Sequence, residues 1–260
     1  MNIVNNDLSP ELIQHNLLTR FIGQKIIYYP SLPSTMEAAR TEAQWGAEAG
    51  TVILTGEQTA GRGRLQRSWR SPMGALAFSV ILRPNINYLP YIIMLASLSV
   101  TYAIRSVTGL NAIIKWPNDV LIGEKKVCGI LIENDIRKYD LKHTVIGIGI
   151  NVNVRINQYP DIASIATSLS DQLKEDVSRI EVLRSVLVQM DKLYVDLPQH
   201  ERLFERWKNN LVTLGQQVQI NSGNQIYRGK AESVTEDGSL VLRQKDGTII
   251  KIIAGDVMFK

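Results

Sequence analysis

Cysteine is almost missing from this chain of 260 residues. Cys128 stands alone, which excludes an internal disulfide. Its place in an apolar run reads as a small buried hydrophobe, and the lack of disulfides fits a reducing compartment. Histidine is scarce as well: His15, His143 and His200 lie far apart, with neither metal-ligand spacing nor a nucleophile triad. The first twenty residues are polar and lack a basic start followed by an apolar core, so no secretory signal is expected. Together these absences predict a cytoplasmic protein. Uncharged runs are short except between Arg83 and Arg105, where Pro84, Asn85, Asn87 and Pro90 delay a helix until Pro90. About 15 uncharged residues remain, below the ~20 that span a bilayer. Pro90 to Val107 is therefore predicted as a buried core helix with proline in its first turn, and no membrane partner is expected. Internal repeats and low-complexity tracts are absent.

The chain is long enough for one large domain or for one medium and one small. A hydrophobic content of 45% with 21% charged residues is ordinary for a globular protein. The net charge of +4 and pI near 9.1 suit an anionic ligand without pointing to nucleic acid.

Taken in order, Ser9, Pro10 and Glu11 predict the capped start of a helix over Leu8–Leu18. Lys25–Tyr29 reads as a strand, and Pro33-Ser34-Thr35 leads into a helix over Met36–Trp45, with Ser34 or Thr35 as its cap. Strands are predicted at Thr51–Gly56, Ala75–Leu82, Ala112–Lys115 and Val120–Ile122. Lys126–Asn134 and Thr144–Val154 form a hairpin joined by a longish loop, Arg137–Lys142. Ser178–Tyr194 and Gln199–Asn209 are amphipathic helices. Strands joined by short links, with helices irregularly interspersed, make an α+β fold: a mixed or antiparallel sheet covered by helices. Composition shifts near Leu211. The rest alternates in short runs separated by Asp237-Gly238 and Asp246-Gly247, the strongest short hairpin cue. Residues 1–210 are thus read as one domain and 211–260 as a small SH3-like β-barrel.

Two stretches carry chemistry. Gly56–Trp69 sets Arg62, Arg64 and Arg67, with Arg70 just beyond, around Gly61 and Gly63. Glycine permits close backbone approach, and arginine offers a planar fork of donors for carboxylate and phosphate. Such a flexible loop could close over a phosphorylated ligand, although solvated connections and nucleic-acid contacts share the pattern. It is neither G-x-G-x-x-G nor a Walker loop. The second stretch, Lys115-Trp116-Pro117-Asn118-Asp119, ends a strand at a proline, which frees side chains to face a pocket; a Trp-Pro packing corner is the alternative. Two cationic elements beside apolar runs suit an anion with an apolar body. Lys25, Lys125 and Lys126 read as solvated surface.

Five motifs in order resemble the biotin protein ligases: S-T-M-E-A-A from Ser34, G-R-G-R with R-x-W through Trp69, K-W-P-N-D from Lys115, K-V-C-G-I-L-I-E from Lys126, and G-I-G-I-N-V-N from Gly147. The resemblance runs from about Ile22 to the C-terminus. It implies a catalytic domain like that of class II aminoacyl-tRNA synthetases. It also implies ATP-dependent activation of biotin as biotinyl-5′-AMP, with Mg²⁺ on the phosphates, and transfer to a lysine of a biotin carboxyl carrier domain. By resemblance, Lys115, Arg62 and Arg64 are catalytic, and Ser34, Thr35, Gln58, Gly61, Gly129 and Ile130 line the biotin site with Arg62 and Lys115. Gly63, Arg67, Trp69, Asn118 and Asn153 join Arg62 and Arg64 at the adenylate. About twenty residues precede the matched region, too few for a DNA-binding module, so a single-function ligase that binds no DNA is expected. An edge strand could pair two copies as a homodimer. Where the family loop reads G-R-G-R-x-G-R, Gln66 replaces the later glycine, which predicts a stiffer loop. A lipoate or octanoate ligase is the nearest alternative, and a nucleic-acid-binding protein the alternative from another class.

Overall fold

The computed structural model describes residues 8–260, with Gln66 described by its backbone. A seven-stranded sheet runs in the order β1-β2-β3-β7-β6-β5-β4. Its strands are β1 (Ile26–Leu32), β2 (Val52–Gln58), β3 (Leu76–Leu82), β4 (Ala112–Lys115), β5 (Asp119–Ile122), β6 (Lys125–Arg137) and β7 (Asp140–Ile150). Only β1 and β2 pair in parallel; the other neighbours are antiparallel, so the sheet is mixed.

One face of the sheet packs on α3 (Leu89–Thr108), α5 (Arg179–Val195) and α6 (His200–Asn209). α3 has twenty residues and is long and apolar enough to cross a membrane, but its apolar side chains lie in the main core. Ser97, Ser99 and Thr101 are buried within it, and each hydroxyl donates to a carbonyl four residues back, at 2.7–2.8 Å. The other face carries α2 (Thr35–Gln44), which contributes Met36, Ala39 and Ala43 to a smaller core.

The C-terminal residues form an antiparallel sheet of five strands, order β11-β10-β9-β8-β12. These are β8 (Gln217–Ser222), β9 (Gln225–Val234), β10 (Leu240–Arg243), β11 (Ile249–Ile252) and β12 (Asp256–Phe259). β12 was not anticipated; it is defined by its antiparallel pairing with β8. Another missed element is α4 (Leu169–Leu173), capped by Ser168, whose hydroxyl accepts from Asp171 N–H.

Three local expectations fail. The first helix, α1, covers only Pro10–Gln14, because Asn16 turns to φ +61° and ends it. The β6–β7 link is no long loop: Lys138 and Tyr139, both at positive φ, make a two-residue turn, and the polar residues around it belong to the strands. Ser34 is the N-terminal boundary of α2, yet its buried side chain accepts no capping hydrogen bond.

The segment entering β1 hangs on a single buried carboxylate. Asp191 of α5 accepts the backbone N–H groups of Arg20, Phe21 and Ile22 at 2.9, 3.1 and 3.1 Å. Asp191→Ala strands three donors and is expected to cost about 3 kcal/mol of stability, read as a lowered urea midpoint with an unchanged slope.

Candidate active site

The cavity exists because the α2 face of the sheet loses its side chains at the centre. In the β3–β7–β6 register, Ser79 and Leu131 flank Gly147, while Ala77 and Gly129 flank Gly149. A patch of glycine, alanine and serine leaves a hollow of about 270 Å³ beside the start of α2. Other side chains dip into it. Met36 Sδ would sit 2.5 Å from a Cβ at Gly147, and Trp69 Nε1 2.3 Å from one at Gly149. The indole N–H finds no acceptor among the described residues.

At one end lies a row of uncharged polar groups. Thr35 N–H and Oγ1–H donate to Gln58 Oε1 at 2.9 and 3.1 Å, and Ser79 Oγ donates to Thr35 Oγ1 at 2.8 Å. Because a backbone N–H can only donate, it fixes which amide atom of Gln58 is the oxygen. Gln58 then offers its N–H groups to a ligand. Ser34, Thr35 and Gln58 all line the cavity; Ser79, which orients Thr35 from below, was missed by the sequence reading.

At the other end is the basic stretch. It folds back as a narrow hairpin: Arg62 bridges Ser68, Gly63 N–H donates to Arg67 O at 2.7 Å, and Trp69 N–H to Gly61 O at 2.8 Å. Gly61 does not line the cavity; a Cβ there would strike Trp69 O at 2.5 Å. The tip is a short 3-10 turn, Arg64–Gln66, in which Leu65 takes φ +54°. The left-handed conformation therefore falls on Leu65, beside the position where glycine was expected.

Each cation of this rim has a partner. Arg62 meets Glu37 at 2.5 Å, Arg70 meets Asp161 at 3.0 Å, and Arg67 pairs with Asp256 at the start of β12. Arg64 differs: its guanidinium donates to neutral acceptors, Asn118 Oδ1 at 2.8 Å and Gly255 O at 3.5 Å. Burial lowers its pKa, against the pull of Asp256 and Asp119. Asn118 is held in turn by Ile130 O at 2.7 Å.

Several of the expected residues lie elsewhere. Lys115 is not among the lining residues; its ammonium lies 5.0 Å from the centre of the Phe259 ring, where burial lowers its pKa and Asp119 opposes that shift. Lys126, read as surface, lines the cavity instead. Its ammonium is 2.6 Å from Asp119 Oδ1 and 5.2 Å from the Trp69 ring centre. The cause is a β-bulge: Val120 pairs with Cys128 but Leu121 with Lys126, so Val127 is an extra residue. Val127 and Cys128 both enter the main core, and Lys126 is turned to the face shared with Gly129. Lys125 stays exposed, donating to Ala163 O at 3.2 Å. Asn153 is likewise spent elsewhere, exchanging both amide hydrogen bonds with Val177 at 2.9 Å. Asn151, whose amide donates to Thr167 O at 3.0 Å, lines the cavity in its place, alongside Asn118. Ile130, Gly63 and Arg67 line it as expected, together with Asp161, Ile162, Ile165 and Ala166 from the segment after β7.

A neutral polar pocket joined to a cationic rim over a bare sheet defines a site for an acid with a polar uncharged head, brought against a second anion. Comparison with known proteins places the chain. Residues 28–151 match the biotin/lipoate A/B protein ligase family and residues 213–260 the biotin protein ligase C-terminal domain. The bifunctional ligase/repressor BirA of Bacillus subtilis is 36% identical over 256 residues, covering 96% of this chain and 78% of that protein. The biotin–[acetyl-CoA-carboxylase] ligase of Paracoccus denitrificans is 28% identical, covering 82% of this chain and 92% of that one. Among solved structures, a biotin protein ligase from Aquifex aeolicus in complex with biotin and ATP superposes with a TM-score of 0.78 at 30% identity. That match covers 91% of this chain and 99% of the other. The chain belongs to the biotin protein ligase family.

Gly149→Ala is expected to push Trp69 off the sheet, since its Cβ has no room beside the indole. Calorimetric titration should then show biotin affinity weakened by about tenfold or more, with the melting temperature little changed.

Proposed function

We propose that this protein is an ATP-dependent ligase that activates biotin as biotinyl-5′-AMP and transfers the biotinyl group to a lysine of a biotin carboxyl carrier domain. The observation that carries this is the meeting, in one cavity, of the Ser34–Thr35–Gln58 row with the cations Arg64 and Lys126. The polar row suits the ureido ring of biotin, because a site built of fixed donors and acceptors rejects ligands that cannot pair with them. The valerate carboxylate would then run along the glycine floor toward Lys126.

In the first half-reaction the carboxylate attacks the α-phosphorus of ATP and pyrophosphate leaves. Two anions must be brought together, so preorganised cations are the principal requirement. Lys126 is the candidate to bridge the carboxylate and an α-phosphate oxygen, with Asp119 holding its ammonium in place. Arg64, bound only to neutral acceptors, is free to exchange them for phosphate oxygens. Among the described residues no group of three or more acidic, histidine or cysteine side chains could cage a metal. Mg²⁺ brought with the nucleotide would neutralise phosphate charge beside Arg64 and Lys126. In the second half-reaction an acceptor amine attacks the anhydride carbonyl and AMP departs with the bonding pair. The amine loses a proton, and no strong base is required because an acyl phosphate is already activated. Trp69 and Arg62, on the hairpin over the floor, would exclude water from the intermediate.

Incubation with biotin, ATP and Mg²⁺ should yield biotinyl-5′-AMP by mass spectrometry and biotin-dependent pyrophosphate exchange; lipoate should support neither. Exchange driven by lipoate and not by biotin would reassign the substrate. Lys126→Ala is expected to lower exchange by about a hundredfold or more, and Lys115→Ala by less than tenfold. The opposite ranking would return the role to Lys115.

A further inference from the structure

One strand of the C-terminal sheet touches the cations of the larger sheet at three points. Arg67 pairs with Asp256, Arg64 donates to Gly255 O, and Lys115 lies over Phe259. Asp256 and Arg67 both line the cavity. The backbone that presents Asp256 has little freedom: Asp256, Val257, Met258 and Phe259 pair residue for residue with Asn221, Ile220, Gln219 and Val218. A Cβ at Gly255 would lie 2.6 Å from Ile220 Cγ2, so the chain just before the carboxylate is packed against β8. The hairpin carrying Arg67 is anchored differently. Its base is tied by Gln58 to Ser71, and its tip carries the left-handed, exposed Leu65. An acid fixed in a strand register therefore meets a basic side chain on a hairpin tied to the sheet at its base.

We propose that Asp256 is a positioning residue for the ligase reaction: through Arg67 it latches the hairpin of residues 61–70 over the cavity, and so sets how long the activated intermediate is kept from water. The inference rests on the ligase reading above for its consequence, but the latch itself does not. Arg62 and Arg70 are held by Glu37 and Asp161 on the larger unit, whereas Arg67 alone reaches across to the C-terminal sheet through an ion pair. With Arg67 so engaged, Arg64 beside it is left for the ligand. The Arg67 side chain is 64% exposed, so the pair is screened by solvent and its effect should be moderate and weakened by salt.

Two measurements test the latch. The first needs no ligand: trypsin cleavage after Arg64 is followed in wild type, Asp256→Asn, Arg67→Asp and the exchanged pair Arg67→Asp with Asp256→Arg. Cleavage should be about two- to fivefold faster in both single variants and return toward wild type in the exchanged pair. The second uses preformed adenylate without acceptor and reads the ratio of AMP released to adenylate retained. Asp256→Asn should raise that ratio about two- to fivefold, Asp256→Glu should restore it, and added salt should raise it in wild type and Asp256→Glu but not in Asp256→Asn. Equal cleavage rates and equal ratios in all forms would overturn the latch, as would an exchanged pair no better than its singles. Failure of wild type to make any adenylate would instead remove the ligase reading, while the cleavage series would still decide whether the latch exists.

Discussion

The structure depends on crowding positive charge over a strip of sheet that has no side chains. Arg62, Arg64, Arg67, Arg70 and Lys126 share one rim, and like charges at such spacing repel unless each is answered. Four of them are answered by carboxylates drawn from four places: Glu37 in α2, Asp256 in β12, Asp161 after β7 and Asp119 in β5. The fifth, Arg64, is held by an amide oxygen and a carbonyl. It is the one guanidinium of the rim whose hydrogen bonds can be given up to an anion without stranding a carboxylate. The rim is therefore poised for a ligand, and the segments that supply its acids are the ones that must stay in register around it.

The bare strip is the complementary constraint. Gly129, Gly147 and Gly149 fall on one face because they alternate along β6 and β7, and Ala77 and Ser79 continue the face into β3. The opposite face of the same strands, with Ile130, Ile146, Ile148 and Ile150, is part of the main core. One set of strands thus builds both the hydrophobic centre and the hollow. A single added methyl on the glycine side meets Trp69 or Met36 rather than empty space. The site's floor and its cover are consequently matched to each other, and the bulk missing from the floor is supplied by the hairpin and α2.

Much of this could be read along the chain. The core helix, the strands before and after the basic stretch, and the paired amphipathic helices follow from hydrophobic period and capping residues, and they stand where expected within a residue or two. The polar row was legible only through the resemblance, which assigns Ser34, Thr35 and Gln58 to the biotin site; by themselves Ser34 and Thr35 read as a helix cap. What escaped were elements whose signal is short or non-local. β12 is defined by its pairing with β8 some forty residues earlier, α4 has five residues, and the tight Lys138–Tyr139 turn hides inside a polar stretch that looks like a loop. Lys115 was favoured because it opens the K-W-P-N-D motif on which the resemblance rests; nothing in the sequence says that Phe259, over a hundred residues later, would cover it.

By itself the sequence determined the strands, the helices, the glycine alternation and the supply of arginines, since these depend on neighbours a few positions apart. Only the tertiary structure decided which cations reach the cavity. Lys126 enters it because one extra residue, Val127, is absorbed as a bulge against β5, reversing the side-chain alternation that would have sent the lysine into the core. Asp256 reaches Arg67 because the C-terminal sheet packs against the larger one. Both outcomes rest on pairings between distant segments, whose free energy is set by burial and register and leaves no mark on the local pattern.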